Sequence, residues 1–411
     1  MKLRRILLRG VFIMITALLA LLVGGLLVTE TEPFGAAPEG ERLARIQKSP
    51  EWHDGQFVNP QARWVNAPLL RVLTAPSVPG VEPQAPVPVV RTDPAALAKL
   101  PASGLRVTWF GHSSALIEID GSRVLIDPLW GERASPFSFA GPKRWFAPPI
   151  ALNELPPIDA VLISHDHYDH LDQAAITALA ATRAVFIVAL GIGAHLRRWG
   201  VAENRIIELD WWQSAKVGAL ELVATPSRHS SGRKGGTSNQ TLWSGFAMIG
   251  PAHRAWYSGD TSYHDGLAQI GERYGPFDVT MIETGQYDSH WPDSHLGPEL
   301  AVQAHKQVRG RVMMPVHWGL IRLANHVWTE PAERVLAAAA RCGEDDVKLL
   351  VPRPGESVEP AASGGQSPKA VTRWWPSQQW QTATQDPILG TKNGVETQRI
   401  EIAACGAVGS N

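Results

Sequence analysis

Ser164-His165-Asp166-His167-Tyr168-Asp169-His170 follows the apolar run Ile158-Asp159-Ala160-Val161-Leu162-Ile163, and the reading of this stretch decides the fold. The run has the length and composition of a buried strand. At its mouth three imidazoles and two carboxylates crowd into six residues, where folding itself has no use for them. Borderline divalent ions such as zinc take imidazole nitrogen and carboxylate oxygen, so His165, His167, Asp169 and His170 can serve two ions from one loop. In extended backbone the side chains alternate, which puts His165, His167 and Asp169 on one side and turns Asp166 and Tyr168 away, while His170 begins the next turn. The plain alternative is a polar loop with accidental histidines, which would carry the desolvation cost of clustered ligands without return.

The whole chain has 411 residues, 44% of them hydrophobic, enough for one large core or two modest ones. Its 38 basic and 39 acidic residues leave a formal charge of -1, which offers no basic field to nucleic acid. Only Cys342 and Cys405 occur, far apart, so there is neither a disulfide framework nor a CxxC metal site. Lys2, Arg4, Arg5 and Arg9 precede Gly10 to Val28, nineteen residues without a charge. That length can span a bilayer, and the absence of a clear small-x-small exit favours an uncleaved anchor over a cleaved signal peptide. The basic flank would stay in the cytoplasm, which in a bacterial cell places the rest in the periplasm on a single inner-membrane span, or secreted there if the segment is cleaved.

Four segments follow: a membrane anchor over 1–30, a proline-rich extended arm over 31–102, a catalytic domain over 103–355, and a tail over 356–411 to which the sequence assigns no role. Within the third, short β-rich runs come first (Leu105 to Phe110, Ala115 to Ile119, Arg123 to Ile126), with Asp120-Gly121 as a hairpin turn. Helices expected at Asp172 to Ala181, Ala194 to Trp199, Leu267 to Tyr274, Glu299 to Val308 and Pro331 to Arg341 alternate with further strands, an α/β pattern with helices packed outside.

Three later strand ends carry ligand types: His229 after Leu222 to Arg228, Asp260 after Trp256-Tyr257-Ser258-Gly259, and His317 after Val312 to Val316. Any one of them alone reads as an ordinary polar strand end. With the loop they form the order His-x-His-x-Asp-His, His, Asp, His, which resembles the metallo-β-lactamase superfamily. The resemblance implies an αβ/βα four-layer sandwich with one zinc on His165, His167 and His229, a second on Asp169, His170 and His317, and Asp260 bridging both. It also implies that Asp127, in Leu125-Ile126-Asp127-Pro128, is a buried acid that orders the metal loop; without it, a strand-end turn before proline is an equal reading. Iron or manganese suits the same donors.

Further strings narrow the resemblance to the N-acyl-phosphatidylethanolamine-hydrolysing phospholipase D branch and its bacterial relatives. These are Arg133-Ala134-Ser135-Pro136, Gly141-Pro142-Lys143-Arg144, Glu154 to Ala160, Glu208 to Trp212, Gly271 to Asp278 and His317-Trp318-Gly319. They cover roughly residues 104 to 340. Phe34 to Pro60 also resembles the arm of the bacterial relatives. The chain departs from the animal enzymes in a shorter Gly285 to His295 segment and in Ser294-His295 where those enzymes have Gln-His.

The activity implied is a phospholipase D-type phosphodiesterase acting on a membrane glycerophospholipid, N-acylated or not. Paired metals lower the pKa of water towards ~7 and so make hydroxide available as nucleophile at neutral pH. Asp260 would fix the metal spacing and His295 would protonate the leaving group, with metal-bound water as the alternative donor. His112, Lys143 and Arg144 are candidate contacts to substrate. Trp130, Phe137, Phe139, Trp145 and Phe146 bracket Lys143-Arg144 and suit a lipid headgroup under an acyl surface, although sixteen tryptophans suit a plain core as well. A lactonase or amidase is the second enzymatic reading, and an envelope metal-binding protein without activity is the third.

Overall fold

The computed structural model describes residues 31–64, 76–234, 238–343 and 346–402, together with Met14 and Thr16. Apart from those two residues, the candidate span from Gly10 to Val28 lies outside the described residues. Among the described residues no helix is long and apolar enough to cross a membrane.

In chain order the strands are β1 (Trp52–His53), β2 (Gln56–Phe57), β3 (Leu105–Gly111), β4 (Ser114–Ile119), β5 (Ser122–Ile126), β6 (Ala160–Ile163), β7 (Val185–Ala189) and β8 (Ile206–Leu209). They continue with β9 (Ser214–Val217), β10 (Leu220–Thr225), β11 (Gly245–Ile249), β12 (Arg254–Tyr257), β13 (Phe277–Glu283), β14 (Gly310–Val316), β15 (Lys348–Leu349) and β16 (Ser357–Val358). β1 and β2 form a small hairpin; the others build two sheets, ordered β16-β3-β4-β5-β6-β7-β8 and β15-β14-β13-β12-β11-β10-β9. In the first sheet β5 to β8 run parallel, and β16, β3, β4 and β5 pair antiparallel. The second repeats the arrangement, with β12 to β15 parallel and β9 to β12 antiparallel.

Each central strand is covered on both faces, which is why the sequence shows apolar runs instead of alternation. In β6, Ala160 and Leu162 join the core between the sheets, whereas Val161 and Ile163 join a second core beneath the outer layer. Ile176 and Leu179 of the helix Gln173–Ala180 pack into that second core, and Asp172 caps the helix by accepting from Ala174 N at 3.0 Å. On the far side, Leu300, Ala301 and Ala304 of Gly297–Gln307 and Val335, Leu336 and Ala339 of Glu330–Arg341 cover the second sheet.

The sequence places most of the remaining elements within a residue or two and misses β1, β2, β9 and β16 and the helices Gly40–Ile46, Pro94–Ala98 and Pro360–Ser363. The segment read as an extended arm is folded against the body. Arg42 Nε donates to Glu208 Oε2 at 2.7 Å, Phe57 N to Asn239 O at 2.7 Å and Val90 N to Pro354 O at 2.9 Å. The segment after Gly355 also belongs to the folded unit, since β16 extends the first sheet and Trp374 stacks on Trp318 with ring centroids 5.4 Å apart. Trp109, Trp318, Trp374 and Trp375 form one continuous cluster, so here tryptophan is spent on the core.

Replacing Trp375, 4% exposed, with alanine should lower stability by about 3 to 5 kcal/mol. Urea unfolding measures it, and a loss below about 1 kcal/mol would show that the C-terminal segment does not pack in this way.

Candidate metal centre

Strand direction gathers the site. β3, β5, β6, β10, β12, β13 and β14 all end at one edge of the sandwich, and the residues at or just after those ends are His112, Asp127, the 164–170 loop, His229, Asp260, Glu283 and His317. Ligands collect outside the carboxyl ends of strands in open α/β sheets for the same reason. His112, Asp127 and His317 hold φ values of 52°, 36° and 66°, a region that costs non-glycine residues about 1 to 3 kcal/mol each. Two backbone bonds brace the bends: His112 N donates to Trp318 O at 3.0 Å and His317 N to His112 O at 2.9 Å. Gly259, at φ 58°, is required before Asp260, because a Cβ there would meet Ser244 O at 2.5 Å.

Asp127 is fully buried and organises the loop. Its carboxylate accepts from Ser164 N at 2.8 Å, Ser164 Oγ at 2.6 Å, His170 Nδ1 at 2.8 Å and, from the opposite sheet, Tyr257 OH at 2.6 Å. The alternation expected for the loop is present. Asp166 turns away to accept from Gly232 N at 2.6 Å, and Tyr168 donates to Arg233 O at 2.7 Å.

Two donor sets lie side by side. His165 Nε2 is 2.9 Å and His229 Nε2 is 3.3 Å from His167 Nδ1, so three imidazole nitrogens converge. In the second set Asp169 Oδ2 lies 3.2 Å from His170 Nε2 and 3.4 Å from His317 Nε2. Asp260 Oδ2 stands between them, 3.1 Å from both His170 Nε2 and His317 Nε2 and 3.7 Å from both His165 Nε2 and His229 Nε2.

Hydrogen bonding does not account for this set. His170 Nε2, His317 Nε2 and Asp260 Oδ1 are buried without a hydrogen-bond partner, in a cluster otherwise dense with polar atoms. A pair of divalent cations shared through Asp260 would give these atoms their partners, and the imidazole and carboxylate chemistry fits zinc, iron or manganese.

Electrostatics divide the imidazoles. Burial holds His165, His167 and His229 below the usual histidine range, so these three are neutral, the form that ligates. Burial works the same way on His170 and His317, but Asp260 and the neighbouring carboxylates outweigh it and hold both well above the ordinary value. Asp169 and Asp260 respond in the opposite sense: burial raises them, and the surrounding imidazoles, His170 first, depress them well below the carboxylate range.

The remaining candidates fall in different places. His295 Nδ1 lies 2.8 Å from Glu283 Oε2 and 3.9 Å from Asp260 Oδ2, at the edge of the cluster. His112 is fully buried, and its Nε2 sits 2.8 Å from Asp169 Oδ2, so it orients that carboxylate. Lys143 is exposed and pairs with Glu132 at 2.7 Å. Arg144 is 8% exposed and donates to the carbonyls of Phe146, Leu129 and Trp130, so most of its hydrogen-bonding capacity braces its own loop.

Sequence reasoning missed two acids. Glu283 ends β13 as Asp260 follows β12, so the strand-end rule pointed to it; its Oε2 lies 2.8 Å from His295 Nδ1 and 3.4 Å from His317 Nδ1. Asp293 had no such signal. It is fully buried and accepts from Trp64 N, Arg228, Thr391 N and Thr391 Oγ1, at 2.7 Å for Trp64 N. Asn59 completes the collar, its side chain bonding His229 N at 3.1 Å and His229 O at 2.8 Å.

Comparison with known proteins agrees with this geometry. The beta-lactamase superfamily domain matches residues 122–318, a range that holds Asp127 and the whole donor set. An uncharacterized protein of Mycobacterium tuberculosis is 46% identical over 339 residues, 80% of this chain and 88% of that one. N-acyl-phosphatidylethanolamine-hydrolyzing phospholipase D 1 of Caenorhabditis elegans is 36% identical over 246 residues, 57% of this chain and 69% of its own. The crystal structure of an isothiocyanate hydrolase from Delia radicum gut bacteria shares the fold, with a TM-score of 0.50 at 20% identity over 62% of this chain and 98% of that one.

Two outcomes follow for the metal-free protein. Since the surrounding carboxylates hold His170 and His317 well above the ordinary histidine value, and ligation needs the neutral form, metal uptake near pH 7 should release protons and weaken as the pH falls. Calorimetry in buffers of different ionisation heat counts them, and a count of zero contradicts this assignment. Asp127→Asn should weaken metal binding about 10- to 100-fold, read by competition with a chelator.

Proposed function

Because the chain belongs to the metallo-β-lactamase superfamily and is a metal-dependent hydrolase, we propose that it cleaves the phosphodiester of a membrane glycerophospholipid, releasing phosphatidic acid and an alcohol. The observation that carries this reading is the double donor set meeting at Asp260 Oδ2 with His295 beside it. Two metal ions held by His165, His167 and His229 and by Asp169, His170 and His317, with zinc as the first choice, would supply Lewis acidity and lower the pKa of water towards ~7.

The protein's own groups do the positioning. Asp260 fixes the spacing of the two donor sets from a strand end held by Gly259. His112 keeps Asp169 turned inward. Glu283 accepts from His295 Nδ1, which leaves His295 Nε2 as the acceptor that would take the proton released by the attacking water and pass it to the departing alkoxide. Ser294, where the animal enzymes have glutamine, is tied to Arg63 Nη2 at 2.7 Å, so the arm shapes the floor next to His295.

The relative from Caenorhabditis elegans, named for hydrolysis of N-acyl-phosphatidylethanolamine, supports a phospholipid over a small substrate. The uncharged Gly10 to Val28 stretch fits this reading, as an anchor that would hold the hydrolase against its substrate on the periplasmic face.

Purified enzyme incubated separately with phospholipids and with lactones, and analysed by mass spectrometry, should yield phosphatidic acid. Lactone opening without any phosphatidic acid would transfer the assignment to a lactonase. His295→Ala should slow release of a poor leaving alcohol by about 10²- to 10⁴-fold and affect a nitrophenol leaving group far less. Equal loss on both substrates would remove His295 as the proton donor.

A further inference from the structure

Loop 131–146, whose basic pair the sequence offered as a substrate contact, presents a different surface. It leaves β5 just beyond Asp127, on the same edge of the sandwich as the metal centre. Its tip carries Phe139, 79% exposed, more than any other large apolar side chain described. The other bracketing aromatics are partly covered: Trp130 packs on Phe110, Trp145 on Trp328, and Phe146 against the core between the sheets. Phe139 meets Phe137 at a tilt, with centroids 5.4 Å apart, and Phe137 meets Phe34 edge-on at 5.9 Å, so a chain of ring contacts runs from the body out to the tip.

The tip is held rigidly. Arg133 donates to Ser138 O at 3.1 Å and Gly141 O at 2.6 Å, and Ala134 N donates to Pro142 O at 3.0 Å. A single exposed ring is ordinary by itself, but this one stands on a braced loop beside a basic cleft. Beside it opens a cleft of about 410 Å³ lined by Arg133, Lys143, Arg144 and Arg322, with Glu82 the one acidic side chain on its wall. With Glu132 paired to Lys143 at 2.7 Å, four basic side chains stand against two acidic ones, a local excess of positive charge in a chain of net charge -1. Arg322 comes from the loop after His317, and Trp145 N donates to Leu320 O at 2.9 Å, so the cleft is built on the segment that carries a metal-ligand candidate.

We infer that loop 131–146 and Arg322 form a docking surface for an anionic bilayer, with Phe139 entering the interfacial layer and the cleft receiving the phosphate of a lipid next to the substrate. An exposed aromatic ring beside a basic cleft matches the chemistry of such a surface, apolar under negative headgroups. Docking at this edge would bring the metal centre against the lipid headgroups. The inference rests on the phospholipid reading, and it assigns Lys143 and its neighbours to the membrane instead of the scissile phosphate.

The test uses the full chain in bilayer discs of phosphatidylcholine alone or mixed with phosphatidylglycerol, followed by hydrogen–deuterium exchange. Exchange across 132–145 should slow several-fold in the mixed discs only, and high salt should reverse the effect, since added salt shortens the screening length. Phe139→Asp combined with Arg322→Glu should abolish that protection and lower hydrolysis of bilayer lipid at least ~5-fold, about the effect of one basic charge near an anionic surface. Hydrolysis of a short-chain, monomeric phospholipid should stay unchanged. Equal exchange in both discs, or equal losses on bilayer and monomeric lipid, overturns the docking surface. Protection of 132–145 without hydrolysis of any phospholipid upholds the surface and refutes the proposed substrate.

Discussion

Asp127 stands at the end of β5 with no exposure to solvent, and its two oxygens receive Ser164 N, Ser164 Oγ, His170 Nδ1 and Tyr257 OH. The first three belong to the sheet that carries the metal loop, and the fourth reaches across from the other sheet. A carboxylate buried without partners would cost several kcal/mol, so each donor delivered to it favours this conformation of the loop. Delivering them sets the direction of His165 and His170, because Ser164 Oγ also lies 2.9 Å from His165 Nδ1. The spacing of the donor sets and the separation of the sheets therefore share one constraint.

Around this anchor the protein concentrates strain and charge at a single edge. Left-handed backbone at His112, Asp127 and His317 aims side chains inward from strands that would otherwise carry them past each other. Clustered imidazoles and carboxylates oppose one another's titration, leaving some histidines neutral and others protonated. That arrangement suits cations more than it suits folding, and the two mixed sheets beneath it supply the rigidity to maintain it.

The legible part of the molecule was the part written locally. Strand runs covered on both faces, the spacing from His165 to His170, and ligand types at the ends of β12 and β14 are all short-range patterns. Glu283 obeyed the same rule and was passed over because glutamate at a strand end attracts less notice than histidine. Arg144 illustrates a different limit: adjacency to Lys143 says nothing about direction, and one neighbour faces solvent while the other braces carbonyls. The arm and tail were illegible because their partners lie far off in sequence. Trp64, Arg228 and Thr391 all bond Asp293, and Arg228 also donates to Thr391 O at 2.7 Å, yet no short window of sequence contains more than one of them.

That meeting bears on how the protein is made. Asp293 adjoins Ser294 and His295, and Arg228 adjoins His229, so the collar around the centre is tied by residues drawn from both ends of the chain. Chains fold as they emerge from the ribosome, amino end first. Both sheets are complete once β16 has appeared, but the knot at Asp293 waits for Thr391. A chain that stops short of that residue lacks the bonds from Thr391 to Asp293 and Arg228, which brace the segments carrying His295 and His229.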